Sequence, residues 1–261
     1  VAAAGAHNIS VIAGDNLGQN STVQSFYVFV DVTAPVTTPG IGAPFFGTAP
    51  VYITSSTQIN LTAFDAGSGI DLIRYRIDSG NWETYSAPLN FTAAGAHIIE
   101  FRALDKLGNT EAIKALEIFV DDTAPAASGE FGRHYGSSPV CILSTTGFNI
   151  TALDSGSGVA AIWYSVADGA WTAYTTTLVF TDAGAHAVRY YAIDNLNHTS
   201  STMSLDVFVD DTAPTVTSDP GATNGVIALD KGGSIVLQAT DAGAGGSVIY
   251  YSLDGGTTWV Q

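Results

Sequence analysis

The sequence predicts an all-β protein made of repeated β-sandwich modules. Three observations predict this class: several markers recur with one period, apolar and polar residues alternate within each period, and turns rich in Asp and Gly separate the alternating runs. Composition agrees, since only 12% of the residues are charged and 28 of the 261 are Gly, which suits many short strands and turns.

The repeat is the strongest of these signals. The string Phe-Val-Asp-x-Thr-Ala-Pro ends at Pro35, Pro125 and Pro214, at steps of 90 and 89 residues. Ala-Gly-Ala-His gives the same two steps, and recurring Asp and Trp residues give steps of 87 to 89. One period of about 89 residues therefore runs through the chain. These further markers are His7, His97 and His186; Asp65, Asp154 and Asp241; and Trp82, Trp171 and Trp259.

Within one period, apolar residues alternate with polar ones as half-buried strands require. Ile59, Leu61 and Ala63 alternate with polar residues, and the stretches 73–77 and 99–103 show the same pattern. About seven short strands in one period, without a helical stretch, predict an immunoglobulin-like sandwich. The expected fold is therefore all-β, with tandem immunoglobulin-like modules of about 89 residues in a rod-like array.

The order of motifs resembles the Ig-like repeats of prokaryotic (bacterial and archaeal) extracellular surface proteins. The motifs are Thr-Ala-x-Asp-x-Gly-Ser-Gly, a Tyr followed by an Asp- and Gly-containing turn and a Trp, Gly-x-His, Ala-x-Asp-x-x-Gly-Asn, and Val-Asp-x-Thr-Ala-Pro. They cover nearly the whole chain, with a departure at 195–198, where Gly is lost. The resemblance implies an extracellular, cell-surface setting, in adhesins, surface layers, stalks or secreted hydrolases.

The repeat register divides the chain into two whole modules and two partial ones. We expect complete modules at 35–122 and 125–211, the last strands of a module at 1–32, and the first strands of another at 214–261. The two partial modules lack six residues of a full module between them, since 261 plus six is 267, or three times 89. Two interpretations stay open: an excerpt of a longer array, or a polymer in which one chain completes its neighbour's sandwich.

Charge and cysteine content exclude several functions. The chain has 8 basic and 24 acidic residues and a net charge of −16, which disfavours binding to nucleic acid or to anionic lipid. The single cysteine, Cys141, excludes an internal disulfide and a cysteine-based zinc site. No apolar run reaches the roughly 18 residues of a membrane span. No catalytic triad spacing, close acidic pair or phosphate loop recurs between periods, so we expect no enzyme activity.

Recurring aspartates predict Ca²⁺ sites where modules meet. In an Ig-like sandwich, the turn after the second strand and the turn between the last two strands lie at the pole where the chain enters, beside the preceding linker. Converging carboxylates and linker carbonyls suit Ca²⁺, which takes six to eight hard oxygens. The candidate ligands are Asp121, Asp122, Asp154 and Asp194 at the middle junction, Asp31, Asp65 and Asp105 at the first, and Asp210, Asp211 and Asp241 at the third.

The recurring aspartates have an alternative role, which is only to cap turns through side-chain to backbone hydrogen bonds. Val32 stands where the other junctions have a second linker aspartate, which predicts the weakest site at the first junction.

Other recurring residues predict packing and modification. Phe29, Phe119 and Phe208 lie on the outward side of the last strand, so we expect them to pack on the linker or on the next module. Six Asn-x-Ser/Thr sequons predict glycosylation, with coincidence in a Ser/Thr-rich sequence as the alternative. Their asparagines are Asn8, Asn20, Asn60, Asn90, Asn149 and Asn197.

The sequence favours a structural role. The leading hypothesis is a component of an extracellular array, such as a surface layer, stalk, sheath or filament, whose partners are neighbouring copies of the protein or further modules of the same chain. A second hypothesis is an adhesin or carbohydrate-binding repeat that uses the aromatic residues Trp163, Tyr191 and Tyr250 to contact glycans. A third is an accessory spacer of a secreted hydrolase.

Overall fold

The protein is all-β, as the sequence predicts. The computed structural model describes residues 3–219, 229, 233–245 and 248–261, and these residues form strands and turns without a helix. Membrane-spanning helices are accordingly absent from the part of the chain that the structure describes.

The chain divides into two compact units. The first unit contains a hairpin followed by a sandwich, and the second contains a sandwich followed by a further pair of strands. The first unit comprises Val1–Thr123, Ser155–Ser157 and Asn195–His198, and the second comprises Ala124–Asp154, Gly158–Asp194 and Thr199–Gln261.

The hairpin consists of β1 (Gly5–Val11) and β2 (Gln24–Val30), which pair antiparallel along their whole length. By the repeat register these strands correspond to the last two strands of a module. Their sheet has only two strands among the described residues, so apolar residues such as Phe26 remain about half exposed.

The first sandwich has two facing sheets. Its strands are β3 (Val36–Ile41), β4 (Phe45–Phe46), β5 (Val51–Ile53), β6 (Ile59–Phe64), β7 (Ile70–Ile77), β8 (Glu83–Thr84), β9 (Gly95–Asp105) and β10 (Lys114–Val120). Strand β3 pairs with β6, and after β3 the chain crosses to the other sheet, where β5 runs parallel to β10. The larger sheet has the order β4-β5-β10-β9-β7-β8, antiparallel apart from that one pair. This strand order is that of an Ig-like sandwich.

Apolar side chains from the two sheets meet in the core of the first sandwich. Ile59 of β6, Ile99 of β9 and Ile118 of β10 are at most 1% exposed and belong to one cluster. Burial of each such side chain contributes about 1.5–3 kcal/mol. The period-two alternation in the sequence therefore identifies the core-facing residues of β6 and β9.

The second sandwich repeats this arrangement. Its strands are β11 (Ala126–Phe131), β12 (Val140–Ile142), β13 (Gly147–Leu153), β14 (Val159–Val166), β15 (Thr172–Ala173), β16 (Leu178–Val179), β17 (Gly184–Asp194) and β18 (Met203–Val209). The two sheets have the orders β11-β13-β16 and β12-β18-β17-β14-β15, and β12 runs parallel to the last strand, β18.

The core of the second sandwich is more aromatic than that of the first. Phe148 is fully buried, stacks on Phe131 with ring centroids 4.4 Å apart, and meets Tyr190 edge-on at 5.8 Å. Gly129 leaves the space that the Phe148 ring fills, because a Cβ at that position would lie 2.3 Å from its Cζ.

A further antiparallel pair follows the second sandwich. It consists of β19 (Thr215–Asp219) and β20 (Val236–Thr240), and an isolated bridge joins Tyr251 to Val260 nearer the end of the chain. By the repeat register β19 and β20 correspond to β3 and β6, the first two strands that pair within a sandwich.

Candidate functional site

The linker between the hairpin and the first sandwich is fixed by Asp31. Its Oδ1 accepts hydrogen bonds from the backbone N–H and the hydroxyl of Thr33, at 3.0 and 2.7 Å. Its Oδ2 accepts a hydrogen bond from the backbone N–H of Ser68 at 2.7 Å. We call these three hydrogen bonds the aspartate clamp. Because Thr33 belongs to the linker and Ser68 to the turn between β6 and β7, the clamp ties the linker to that turn.

The aspartate clamp recurs once in every period. The same donors, a threonine two residues after the aspartate and a backbone N–H in the later turn, contact the carboxylate each time, at distances between 2.5 and 3.0 Å. The clamp is thus a property of the repeat. The corresponding trios are Asp121 with Thr123 and Ser157, and Asp210 with Thr212 and Ala244.

A glycine makes room for each clamp carboxylate. A Cβ on Gly67 would lie 2.2 Å from Oδ2 of Asp31. A Cβ on Gly156 or Gly243 would come equally close, within 2.2 Å of the corresponding clamp carboxylate. Any larger residue would force the turn and the linker apart, which explains the Gly in the recurring Asp-x-Gly string.

The clamp aspartates are anions at neutral pH. Hydrogen bonds from Thr33 and then Ser68 hold the pKa of Asp31 well below its usual range. The pKa of Asp210 is lowered in the same way, first by its threonine hydroxyl. Burial acts most strongly on the pKa of Asp121 and raises it, but the hydrogen bonds outweigh burial and the pKa is lowered.

Two further aspartates stand beside the first clamp. Oδ2 of Asp65 accepts hydrogen bonds from the N–H groups of Gly67 and Gly69, and Oδ1 of Asp105 accepts from Leu107 and Asn109. Both residues therefore cap turns. One carboxylate oxygen from each of these two aspartates and from Asp31 lie within 4.8 Å of one another. The three residues that the sequence assigns to the first junction are thus close together.

The second linker aspartates point elsewhere. Asp122 accepts a hydrogen bond from the N–H of Ser55, just after β5, and Asp211 accepts one from Ser144, just after β12, both at 2.9 Å. Each of these carboxylates contacts a residue just after an earlier strand of the same sandwich, so neither carboxylate belongs to a clamp. Val32 stands at the corresponding place in the first period, so this hydrogen bond cannot form there. The substitution does not affect the group of three aspartates Asp31, Asp65 and Asp105.

The remaining predicted ligands also lie in turns or at strand ends. Asp154 accepts a hydrogen bond from the N–H of Gly158 at 2.7 Å, and Asp241 accepts one from Gly243 at 2.8 Å. Asp194 is the last residue of β17 and is buried.

The recurring phenylalanines differ in their surroundings. Phe29 is 55% exposed on the hairpin. The ring of Phe119 packs on Tyr52 of its own sandwich, with centroids 5.5 Å apart, and Phe208 lies opposite Cys141 in the parallel pair of β12 and β18. Packing of these rings on a linker or on another module stays a prediction.

The sequon asparagines share one property, which is exposure of the side chain to solvent. Attachment of a glycan at these positions would therefore not displace core residues. The exposed asparagines are Asn8, Asn20, Asn60, Asn90, Asn149 and Asn197.

Sequence reasoning missed a buried charge network in the first sandwich. Glu111, 7% exposed, accepts hydrogen bonds from the N–H and hydroxyl of Thr37 and pairs with Nζ of Lys114 at 2.7 Å. Burial is the largest influence on the pKa of Glu111 and raises it, but Lys114 and Thr37 together lower it. The repeat contains a signal for this network, because Glu111 is a charged residue at a position where the other periods have Ser21 and Ser200.

Comparison with known proteins gives fold-level similarity only. No family model matches the sequence, and no curated protein matches it. Among solved structures, the chain is similar to the fibronectin(III)-like modules of CbhA from Clostridium thermocellum, with 15% identity over 66% of this chain and 94% of that chain and a TM-score of 0.35.

Two other solved structures are similar. The D00-D0 domain of intimin shows 16% identity over 67% of this chain and 100% of that chain, with a TM-score of 0.28. Dimeric latent PorU from Porphyromonas gingivalis shows 13% identity over 78% of this chain and 24% of that chain, also with a TM-score of 0.28. The Ig-like assignment rests on the strand order and pairing within each sandwich.

Proposed function

We propose that this protein is a non-catalytic structural component of an extracellular array, such as a surface layer, stalk, sheath or filament. The observation that carries the proposal is the aspartate clamp, which recurs at Asp31, Asp121 and Asp210. A spacer protein depends on the geometry of its linkers, and the clamp is a polar feature of the linker that every period repeats.

The chemistry of the clamp suits this role. Hydrogen bonds to an ionised carboxylate are stronger than those between neutral groups. Asp31 accepts three of them, and Pro35 follows two residues after Thr33 and fixes one more backbone angle of the linker. The linker therefore has fewer conformations than a flexible Gly/Ser-rich connection of equal length.

Charge and motif order support the location and the partners. A net charge of −16 disfavours nucleic acid as a partner. The order of the repeated motifs resembles that of prokaryotic surface proteins, which supports an extracellular position and contacts with neighbouring copies or with further modules of the same chain.

The test is electron microscopy of the native material with antibody labelling of intact cells. We expect label on the cell surface and an ordered filament, sheath or lattice. A variant with Asp31→Ala, Asp121→Ala and Asp210→Ala should lose this order while far-UV circular dichroism shows that its strands remain.

The matched control removes the same charge from exposed sites outside the clamps, with Asp71→Ala, Asp182→Ala and Asp206→Ala. This control should assemble normally. Label confined to the cell interior, or loss of order in the control as well, would contradict the proposal.

An aromatic surface on the second sandwich favours carbohydrate binding as a second candidate function. Trp163 lies opposite Tyr191 across neighbouring strands, and Trp171 packs edge-on against Tyr191 with centroids 4.6 Å apart. The first sandwich has Arg74 and Arg102 where the second has Trp163 and Tyr191. Aromatic faces of this kind stack on sugar rings. Glycan-array binding that Trp163→Ala abolishes would support this function, and a blank array would remove it.

A further inference from the structure

We propose that Asp31, Asp65, Asp105 and the hydroxyl of Ser68 form a Ca²⁺ site in the first unit. These residues lie where the linker after the hairpin meets the turns of the first sandwich. One carboxylate oxygen from each aspartate lies within 4.8 Å of the other two, a spacing that one cation can bridge.

The charge of this group is not balanced by side chains. Asp105 is 2% exposed and Asp31 is 8% exposed, yet none of the ion pairs among the described residues includes either of them or Asp65. The donors around them are backbone N–H groups, the Thr33 hydroxyl and the Asn109 side-chain amide, which satisfy individual oxygens but bring no net positive charge. Buried carboxylates in proteins are paired or coordinate metals, and two of these three carboxylates are buried, so the group favours a bound cation.

A buried serine hydroxyl is an independent sign that these residues bind a ligand. Oγ of Ser68 exposes less than 1 Å² to solvent and has no hydrogen-bond partner among the described residues. It lies beside the carboxylates of Asp31 and Asp105. A neutral oxygen enclosed beside two carboxylates is a ligand that a hard cation accepts.

The same feature recurs one period later. Ser157 is 5% exposed, its Oγ also lacks a hydrogen-bond partner among the described residues, and it faces Asp121. The third period has Ala244 at this position, although its N–H still completes the clamp. The clamp therefore needs only the backbone N–H of this residue, and the hydroxyl groups of Ser68 and Ser157 are not required for it.

The ligand set identifies the cation. Carboxylate and hydroxyl oxygens are hard donors, and the group contains neither His nor Cys, which zinc sites prefer. Ca²⁺ tolerates irregular geometry and bidentate carboxylates, with water completing its shell, whereas Mg²⁺ demands near-ideal octahedral geometry. The site depends on local chemistry alone and not on the proposed structural role.

The test is calorimetric titration of the 261-residue chain with CaCl₂. We expect saturable binding by the wild type at concentrations up to about 10 mM, since extracellular modules bind Ca²⁺ with dissociation constants of about 0.1–1 mM. Asp65→Asn should lose one equivalent of Ca²⁺ or bind it at least about tenfold more weakly. The asparagine oxygen can still accept from Gly67 and Gly69, so the turn is retained. Ser68→Ala should weaken binding while leaving the clamp N–H in place.

The control is Asp71→Asn, which removes one negative charge from an exposed aspartate of β7 that belongs to no group of candidate ligands. This variant should bind Ca²⁺ as the wild type does, and thermal unfolding without Ca²⁺ should show that all three variants are folded. Absence of saturable heat from the folded wild type, or wild-type binding by both Asp65→Asn and Ser68→Ala, would overturn the site. Equal affinity for MgCl₂ would overturn its assignment to Ca²⁺.

Discussion

The two sandwiches share one strand order but fix their first strand by different chemistry. In the first sandwich, Thr37 of β3 is held by buried hydrogen bonds to Glu111 and by a partly buried hydrogen bond from Lys114. In the second, Ala127 occupies the place of Thr37 and Ser200 that of Glu111, so no such network forms among the described residues.

Aromatic packing replaces this network in the second sandwich. Phe131 of β11 stacks on Phe148 of β13, and Phe148 meets Tyr190 edge-on and fills the space that Gly129 leaves. The comparison teaches that alternation and turns specify the sandwich, whereas the interactions that hold its first strand in place can differ.

The largest expected effect tests the aromatic packing around Phe148 in the second sandwich. Phe148→Ala should lower the free energy of unfolding of the second sandwich by about 3–5 kcal/mol, because it leaves a cavity beside Phe131 and Tyr190. Urea denaturation monitored by aromatic fluorescence measures this loss. Ile59→Val, at the corresponding position of the first sandwich, should cost only about 0.5–1.5 kcal/mol. Equal losses in the free energy of unfolding from both variants would show that the aromatic stack does not make the expected contribution to stability.

A smaller effect tests the hydrogen-bond network of Glu111 in the first sandwich. Glu111→Ser gives the first sandwich the residue of the second and leaves Thr37 and Lys114 without their buried acceptor, so we expect a loss of about 2–3 kcal/mol in the free energy of unfolding. The reference variant is Ser200→Ala, which removes one hydrogen bond to Ala192 and should cost about 1 kcal/mol. Similar costs for both variants would mean that the charge network adds nothing.

The clamp, which both sandwiches share, gives the next prediction. Gly67→Ala should lower the free energy of unfolding by about 1–3 kcal/mol, because the new Cβ collides with the Asp31 carboxylate. Gly40→Ala is the control, since its Cβ would meet Asn60 at an ordinary 3.9 Å. Thermal unfolding compares the two variants, and an unchanged midpoint for Gly67→Ala would contradict the crowded geometry.

The smallest effect is a dependence of stability on pH that arises from a His–Asp pair in the first sandwich. Nδ1 of His97 lies 2.7 Å from Asp78, and this hydrogen bond raises the pKa of His97 above 6.5. The second sandwich has Ala167 in place of Asp78, beside His186. Stability from the pair is therefore present below pH 6.5 and is lost as the pH rises through the folded pKa of His97.

The pair is partly exposed, so the loss should be at most about 1 kcal/mol. Unfolding midpoints of the wild type and His97→Gln, measured on both sides of that pKa, check this prediction. The variant should lack the extra dependence on pH, and identical pH profiles would contradict the role of the pair.

Much of this architecture follows from side-chain patterns in the sequence. Alternation at 59–63 and 99–103 identifies core positions, and the topology of an Ig-like sandwich brings Asp31, Asp65 and Asp105 together. Each of these inferences needs only the periodicity and the order of strands.

Other features could not be predicted because they depend on the backbone. The clamp uses the N–H group of Ser68, which every residue except proline would offer, so no residue type marks it. Successive side chains of an extended segment point to opposite sides. Asp121 and Asp122 therefore contact different turns, although the sequence groups them as one site.

The composition of the clamp bears on how such a chain can change length during evolution. Asp210 and Thr212 come from one period, whereas Gly243 and the N–H of Ala244 come from the next. Each period thus carries both halves of the joint, one at each end, and the donor in the turn tolerates substitution of its side chain. Unequal recombination that adds or deletes whole periods would join matching halves every time, so the number of modules can vary without any new joint having to evolve.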